Sequence, residues 1–414
     1  MSGNVARRAG IPPFYVMDVW LAAAERQRTH GDLVNLSAGQ PGAGAPAPVL
    51  AAAERALRSG SLGYSVALGI PELREAIARS YNATYGIDIT VDEVVLTTGS
   101  SGGFLLAFLA CLNPGDEVIA PEPFYANYNG FALMAGIHIR PITCNIEDGF
   151  DLPPVEAIEA AVSPRTRGVL ITNPNNPTGS FYSKESLEAL ADVVKRHDLF
   201  LFADEVYREF CFDGQEFYSV LRLQSIRDHV LVVDSISKRF SACGARVGAI
   251  IAFNPAILEA INRFAKLRLS PPGFGQILAE AALEMDDAYL DEVKEEYDRR
   301  RKTVFNRLRK MPGVISYLPG GAFYCFTRLP IDDAEIFCRW LLESFEYQGA
   351  TLMISPGQGF YASPGLGQQE VRLAFVLNTA DLEKAMDCLE NALATYPGRK
   401  ETEIKAAKAG ATAL

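Results

Sequence analysis

GVLITNPNNPTGSFYSKESLEALADVVKRHDLFLFADEVY, residues 168–207, holds two strand-length apolar runs on either side of a helix-like segment. GVLIT and LFLFADEVY are short apolar runs of strand length, and between them SKESLEALADVVKRH (183–197) spaces its apolar residues at helical intervals. Strand, helix and strand in that order form a βαβ unit, whose two strands run parallel because the helix carries the chain back across the sheet. The central region is therefore expected to be a mostly parallel α/β sheet. Such a sheet builds its site in the loops at the carboxyl ends of its strands. Here those loops contain NPNNPTG (173–179), which has the composition of a tight, rigid turn, and Asp204, where the apolar part of the second run ends.

Two further segments place polar residues where strands run out. SISKRFSACGARVG (235–248) follows the apolar run HVLVVD and sets Lys238 among small residues, with Arg246 eight positions later. A buried lysine is costly as a free cation, and imine formation with an aldehyde removes that charge, while the forked donors of Arg246 suit a phosphate. The same residues also read as a surface lysine beside an arginine. VVLTTGSSGGFLLAFLACL (94–112) reads as strand, Gly/Ser turn and apolar helix, which turns the backbone N–H groups near Ser100 and Ser101 toward an anion. Asp204 reads either as a helix cap or as a carboxylate awaiting a cation such as a protonated pyridine nitrogen.

Taken in the order GSSGG, NPNNPTG, DEVY, SISK and GxR, the motifs resemble those of the class I/II aminotransferases of fold type I, which use pyridoxal 5'-phosphate. SAGQP (37–41), GYSVALGIPELREAIA (63–78), PEPFYANY (121–128) and EVRLAF (370–375) extend the resemblance over residues 11–397. It implies a covalent bond from Lys238 to the cofactor aldehyde and a pairing of Asp204 with the ring nitrogen. Asn176 and Tyr207 are expected at the ring's phenolic oxygen, with Tyr125 stacked on the ring. Ser100, Ser101, Ser235 and Arg246 are expected at the phosphate, with Tyr64 reaching in from the partner of a homodimer. Arg372, helped by the backbone of Gly39 and by Asn176, is expected to hold the substrate α-carboxylate.

The implied reaction is a ping-pong transamination between an L-amino acid and a 2-oxo acid, in which Lys238 also moves the Cα proton. The overall pattern is most similar to that of bacterial aspartate aminotransferases, which points to aspartate and 2-oxoglutarate. Lys266 and Arg268 are the candidates for a side-chain carboxylate, or else are solvated helix charges. Without such a cation a neutral donor is the alternative, with Phe14, Tyr15 and Phe360 lining its pocket. A lyase or decarboxylase of the same fold is a further alternative.

Composition agrees with a large folded enzyme. A chain of 414 residues, 49% hydrophobic and 21% charged, can bury a two-domain core, which excludes disordered and fibrous classes. The expected division is an N-terminal segment (1–45) joining a small α+β domain (296–397), a large cofactor-binding α/β domain (46–295) and a loose tail (398–414). No apolar run is long enough to span a membrane, and MSGNVARRAGIPP lacks the apolar segment of a secretory signal, so a cytoplasmic location is expected. The seven cysteines are scattered without metal-site or disulfide spacing. A formal charge of −11 argues against nucleic acid. EEYDRRRKTVFNRLRK (295–310) reads as a solvated helix, and His138, His197 and His229 as surface or structural residues.

Overall fold

The computed structural model describes residues 15–30, 33–60 and 63–400. In chain order its strands are β1 (Leu33–Asn35), β2 (Val94–Thr98), β3 (Glu117–Glu122), β4 (His138–Thr143), β5 (Thr166–Thr172), β6 (Phe200–Asp204), β7 (Val230–Ser235) and β8 (Val247–Ala252), followed by β9 (Ile315–Ser316), β10 (Tyr324–Arg328), β11 (Thr351–Met353), β12 (Ser355–Pro356) and β13 (Glu370–Ala374). Seven of them form one sheet in the order β2-β8-β7-β6-β5-β3-β4. Pairing is parallel from β7 through β6, β5 and β3 to β4, and antiparallel where β8 meets β2 and β7. This is the mostly parallel α/β sheet read from residues 168–207.

The helix Lys184–Arg196 shows why the βαβ unit forms. Ser183 caps it by accepting from the Ser186 N–H, and Leu187, Leu190, Ala191 and Val194 make one buried stripe. On the other face, the helix Gly99–Cys111 lies close to β7. A Cβ built on Gly103 would meet Val233 Cγ1 at 2.9 Å, so a larger residue there would push helix and sheet apart.

A second apolar core gathers around the four-stranded sheet β12-β13-β10-β9 and the helices Asp287–Leu308, Ala334–Glu343 and Thr379–Thr395. The N-terminal segment joins it. β1 pairs in parallel with β11, and Arg26 donates to the carbonyls of Leu342 (3.5 Å) and Phe345 (3.3 Å).

Two sequence expectations change here. The run 295–310 is solvated on one face only: Glu295, Arg299, Lys302, Arg309 and Lys310 are exposed, but Arg301 is completely buried, pairing with Asp213 at 2.7 Å and Asp298 at 2.6 Å and donating to Pro319 O at 2.7 Å. Arg300 is buried too and donates to Val376 O at 2.7 Å. Charge spacing at helical period shows which residues share a face, but not whether a second layer with its own carboxylates covers it. Residues 398–400, placed in the loose tail, are held to the small sheet: Arg399 bridges Ile331, and Lys400 N donates to Pro330 O at 2.9 Å.

Candidate active site

Strand direction assembles the site. β5, β6 and β7 are parallel, so Thr172, Asp204 and Ser235 end on one edge of the sheet. Antiparallel β8 begins on that same edge, with Gly248 opposite Ser235, and β2 ends there, with Thr98 opposite Val247. The NPNNPTG turn, the Lys238 loop, Arg246 and the helix opening with Ser100 and Ser101 therefore converge on a cavity of about 330 Å³.

Gly39, Ser100, Ser101, Tyr125, Asn176, Asp204, Tyr207, Ser235, Lys238, Arg246 and Arg372, all singled out in the sequence, line this cavity. Tyr64 does not; it is 84% exposed on the surface of its own chain. Phe14 lies outside the described residues, as does the side chain of Tyr15, whereas Phe360 lines the cavity. Arg268 is not free to meet a substrate: its two terminal nitrogens donate to Leu96 O (3.0 Å) and Ala67 O (2.6 Å), and Lys266 is exposed at the end of the helix Pro255–Arg268. His138 is exposed on β4, and His229 Nδ1 lies 3.0 Å from Leu199 O.

At the floor, Asp204 is buried, and burial pushes its carboxyl up to about 6. Two donors hold it, Tyr128 Oη at 2.6 Å and Val206 N at 3.2 Å. The turn is tied to the same strand end, since Asn173 N donates to Asp204 O at 3.0 Å. Lys238 Nζ donates to Gly39 O at 2.7 Å, and burial lowers its pKa from the ordinary lysine value. A lysine shifted this way has more of its neutral, nucleophilic form near neutral pH.

Across the cavity, β13 presents Arg372, which is 5% exposed. Its guanidinium is sandwiched between the rings of Tyr324 (4.6 Å) and Phe360 (4.8 Å) and donates to Asn176 Oδ1 (2.9 Å) and Ser37 O (2.7 Å). Its Nε has no partner among the described residues. A buried arginine so oriented, with donors to spare and no paired carboxylate among the described residues, suits an anionic ligand.

The third corner is open and cationic. The helix Gly99–Cys111 has no side-chain cap at Thr98, and Arg246, exposed to the cavity, reaches Gly99. A Cβ on Gly99 would run into the Arg246 guanidinium, and one on Gly248 would meet Gly99 C at 2.6 Å and Ser100 N at 2.8 Å. Glycine at both positions leaves a cradle of backbone N–H groups and one guanidinium, which is the donor set of a phosphate. An amine of lowered pKa, a buried carboxyl and a phosphate cradle around one cavity fit pyridoxal 5'-phosphate by its aldehyde, ring nitrogen and phosphate.

Several hydroxyls are already engaged. Ser235 Oγ donates to Val247 O at 2.9 Å and lies 2.7 Å from Ser237 Oγ, while Tyr207 Oη lies 2.7 Å from Tyr324 Oη. Tyr128, Tyr324 and the buried pair Arg208–Asp234, which Arg239 joins at 3.0 Å, were not singled out in the sequence. The only linear sign was position: Arg208 follows Tyr207, and Arg239 follows Lys238.

Residues 31–389 match the family described as aminotransferase class I and II. A valine–pyruvate aminotransferase of Mycobacterium tuberculosis is 42% identical over 392 residues, covering 93% of this chain and 97% of the relative. An aspartate aminotransferase of Pyrococcus horikoshii is 34% identical over 373 residues, covering 89% and 93%. Among solved structures, an aminotransferase from Mycobacterium tuberculosis superposes with a TM-score of 0.85 at 40% identity, covering 94% of this chain and 98% of that one. Aspartate aminotransferase from Thermus thermophilus with maleate superposes with a TM-score of 0.86 at 32% identity, covering 95% and 100%. With the motifs gathered on one sheet edge and likeness extending along nearly the whole chain, the protein belongs to the class I and II aminotransferases and is a pyridoxal-phosphate-dependent enzyme of fold type I.

Proposed function

We propose that the enzyme transfers amino groups between neutral L-amino acids and 2-oxo acids, rather than using aspartate. The observation that carries this reading is the charge of the cavity wall. Its cations are Lys238, Arg246 and Arg372, and the remaining lining includes Ala38, Val206, Tyr125, Tyr324 and Phe360. Amine chemistry, phosphate and α-carboxylate each claim one cation, which leaves none among the described lining residues for a second carboxylate. A relative named for valine and pyruvate at 42% identity supports the same choice. Aspartate remains the second reading because relatives at 34% identity carry that name. It requires a cation from outside this wall, such as Lys266 of a neighbouring subunit.

In this proposal the two terminal nitrogens of Arg372 clamp the α-carboxylate, and the fixed aromatic sandwich keeps them from swinging away. The bound cofactor supplies the aldehyde that takes the amino group and the electron-poor ring that stabilises charge at Cα. Asp204 pairs with the ring nitrogen, Tyr125 covers the ring, and Asn176 and Tyr207 face its phenolic oxygen. Ser100, Ser101 and Arg246 hold the phosphate, and Ser235 joins them only if its hydroxyl turns away from Val247 O. Lys238, with its lowered pKa, takes the Cα proton and returns it one atom away.

A homodimer belongs to the same proposal. Tyr64 and Leu267 are 84% and 82% exposed, and the Tyr64 segment is fastened to the helix of Leu267 by Arg268 to Ala67 O (2.6 Å) and to the helix after it by Gln276 Nε2 to Ser65 Oγ (2.9 Å). A fully active monomer in sedimentation would contradict it. The division into a large domain and a small domain completed by the N-terminal segment is part of the proposal as well. Among the described residues no helix is long and apolar enough to cross a membrane. The substrate reading is tested by steady-state transamination of valine, alanine and aspartate with pyruvate and 2-oxoglutarate. Higher kcat/KM for the neutral donors is expected, and a clear preference for aspartate would return the second reading.

A further inference from the structure

Glu122 ends β3 and is completely buried. Its Oε1 accepts from Thr143 Oγ1 at 2.9 Å, and its Oε2 accepts from the backbone N–H groups of Ala362 (2.8 Å) and Ser363 (3.1 Å). All three donors are neutral groups. A carboxyl so deeply buried with neutral partners is an expensive way to fill space, and an apolar side chain would pack there at lower cost. What the carboxyl does is cross from the large sheet to the loop after Phe360. A third bond joins the same two segments, from Phe124 N to Phe360 O at 2.9 Å.

Each segment delivers one wall of the cavity. Pro123 and Phe124 lead into Tyr125 on the cofactor side, and the loop from 357 to 363 carries Phe360, whose ring lies on the Arg372 guanidinium at 4.8 Å. Beneath them an apolar cluster spans the seam, with Cys144, Ile146 and Phe150 meeting Phe326, Phe360 and Tyr361. Apolar contacts of this kind fix closeness but tolerate sliding, whereas two N–H groups on one carboxyl oxygen fix a position.

We propose that Glu122 is a positioning residue that sets the width of the substrate pocket by fastening the Phe360 wall to the Tyr125 wall. It acts through Phe360 and Arg372 and touches neither cofactor nor substrate. This holds for any amino donor and does not depend on the neutral-donor reading. Loosening the seam lets Phe360 leave the Arg372 face, so the pocket discriminates side chains less well and the carboxylate clamp is held less firmly. The cofactor end is unaffected.

The test compares Glu122→Ala, Glu122→Gln and Ala362→Pro in the cofactor-loaded enzyme. Glutamine keeps the acceptor for both N–H groups and turns its amide toward the Thr143 hydroxyl, whereas Ala362→Pro removes a donor and leaves Glu122 in place. The expected result is that E122A and A362P raise KM by about tenfold and shift the valine-to-alanine ratio of kcat/KM by a similar factor. That is the size of one or two lost buried hydrogen bonds. Cofactor affinity and the absorbance of the loaded enzyme stay as in wild type, and E122Q stays within about twofold. If wild type prefers aspartate, the aspartate-to-alanine ratio replaces valine-to-alanine, so failure of the substrate reading leaves this test intact. The proposal is overturned if E122A and A362P melt earlier with KM and the ratio unchanged, or if kcat alone falls. Should E122A fail to fold, A362P against E122Q decides alone: a ratio unchanged in A362P overturns the proposal.

Discussion

The Tyr128 hydroxyl donates a 2.6 Å hydrogen bond to Asp204 Oδ2, 76 positions away in sequence, and lies 2.8 Å from Thr172 Oγ1. Burial raises the Asp204 carboxyl to about 6, and the Tyr128 bond works against that rise. Cofactor binding needs the charged form. Below pH about 6 the carboxyl must first release a proton, so cofactor affinity is predicted to fall by up to about tenfold per pH unit on acidification. Tyr128→Phe removes a bond that favours the charged form and moves the onset to higher pH, while Asp204→Asn abolishes this component. Titrations of apo-protein with pyridoxal 5'-phosphate at several pH values check all three.

Arg372→Lys keeps a charge but loses the fork that spans Asn176 and Ser37 and the flat face that stacks on Tyr324 and Phe360. Loss of substrate carboxylate binding is predicted to lower kcat/KM by about 100-fold or more, a cost of roughly 3 kcal/mol. The cofactor absorbance is predicted to remain. Steady-state kinetics beside a spectrum of the resting variant separates the two.

Glu205, next to Asp204, accepts from Ser219 Oγ (2.9 Å) and Val220 N (2.9 Å), yet burial raises its carboxyl to about 8. A raised folded value means that its stabilising contribution is present below the unfolded carboxyl value of about 4.3 and lost as pH rises through about 8. Wild type is predicted to lose thermal stability between pH 5 and 9, and Glu205→Gln to lose less. Melting temperatures across that range decide it.

Arg301 sits wholly buried between Asp213 and Asp298. Arg301→Ala removes the cation and leaves a void, with a predicted loss of about 3–5 kcal/mol, and Arg301→Met is predicted to lose less because it fills the space. Denaturant unfolding of both variants measures the difference.

Legibility in the sequence followed the range of each contact. The βαβ unit was readable because its periodicity is local, and Lys238, Asp204, Asn176 and Arg246 stood out because their motifs span a few residues at strand ends. The cavity also needs partners with no linear signature. Tyr128 on Asp204, Tyr324 beside Tyr207, and Glu122 under Ala362 are each separated by 76 to 240 positions. Tyrosine and glutamate in those places read as ordinary packing and surface residues until the sheet brings them together. The buried side of the run 295–310 was hidden for a related reason, since the acids that pair with Arg301 include Asp213, 88 positions earlier.

Neutral-donor transamination in this enzyme depends on Lys238 and Arg372 together. It is tested most directly by mixing the cofactor-loaded enzyme with single amino acids and following the loss of cofactor absorbance in one half-reaction. Fast conversion by valine and alanine, slow conversion by aspartate, and none in Lys238→Ala are expected. Conversion by aspartate well ahead of every neutral donor, or turnover surviving in Lys238→Ala, would contradict it.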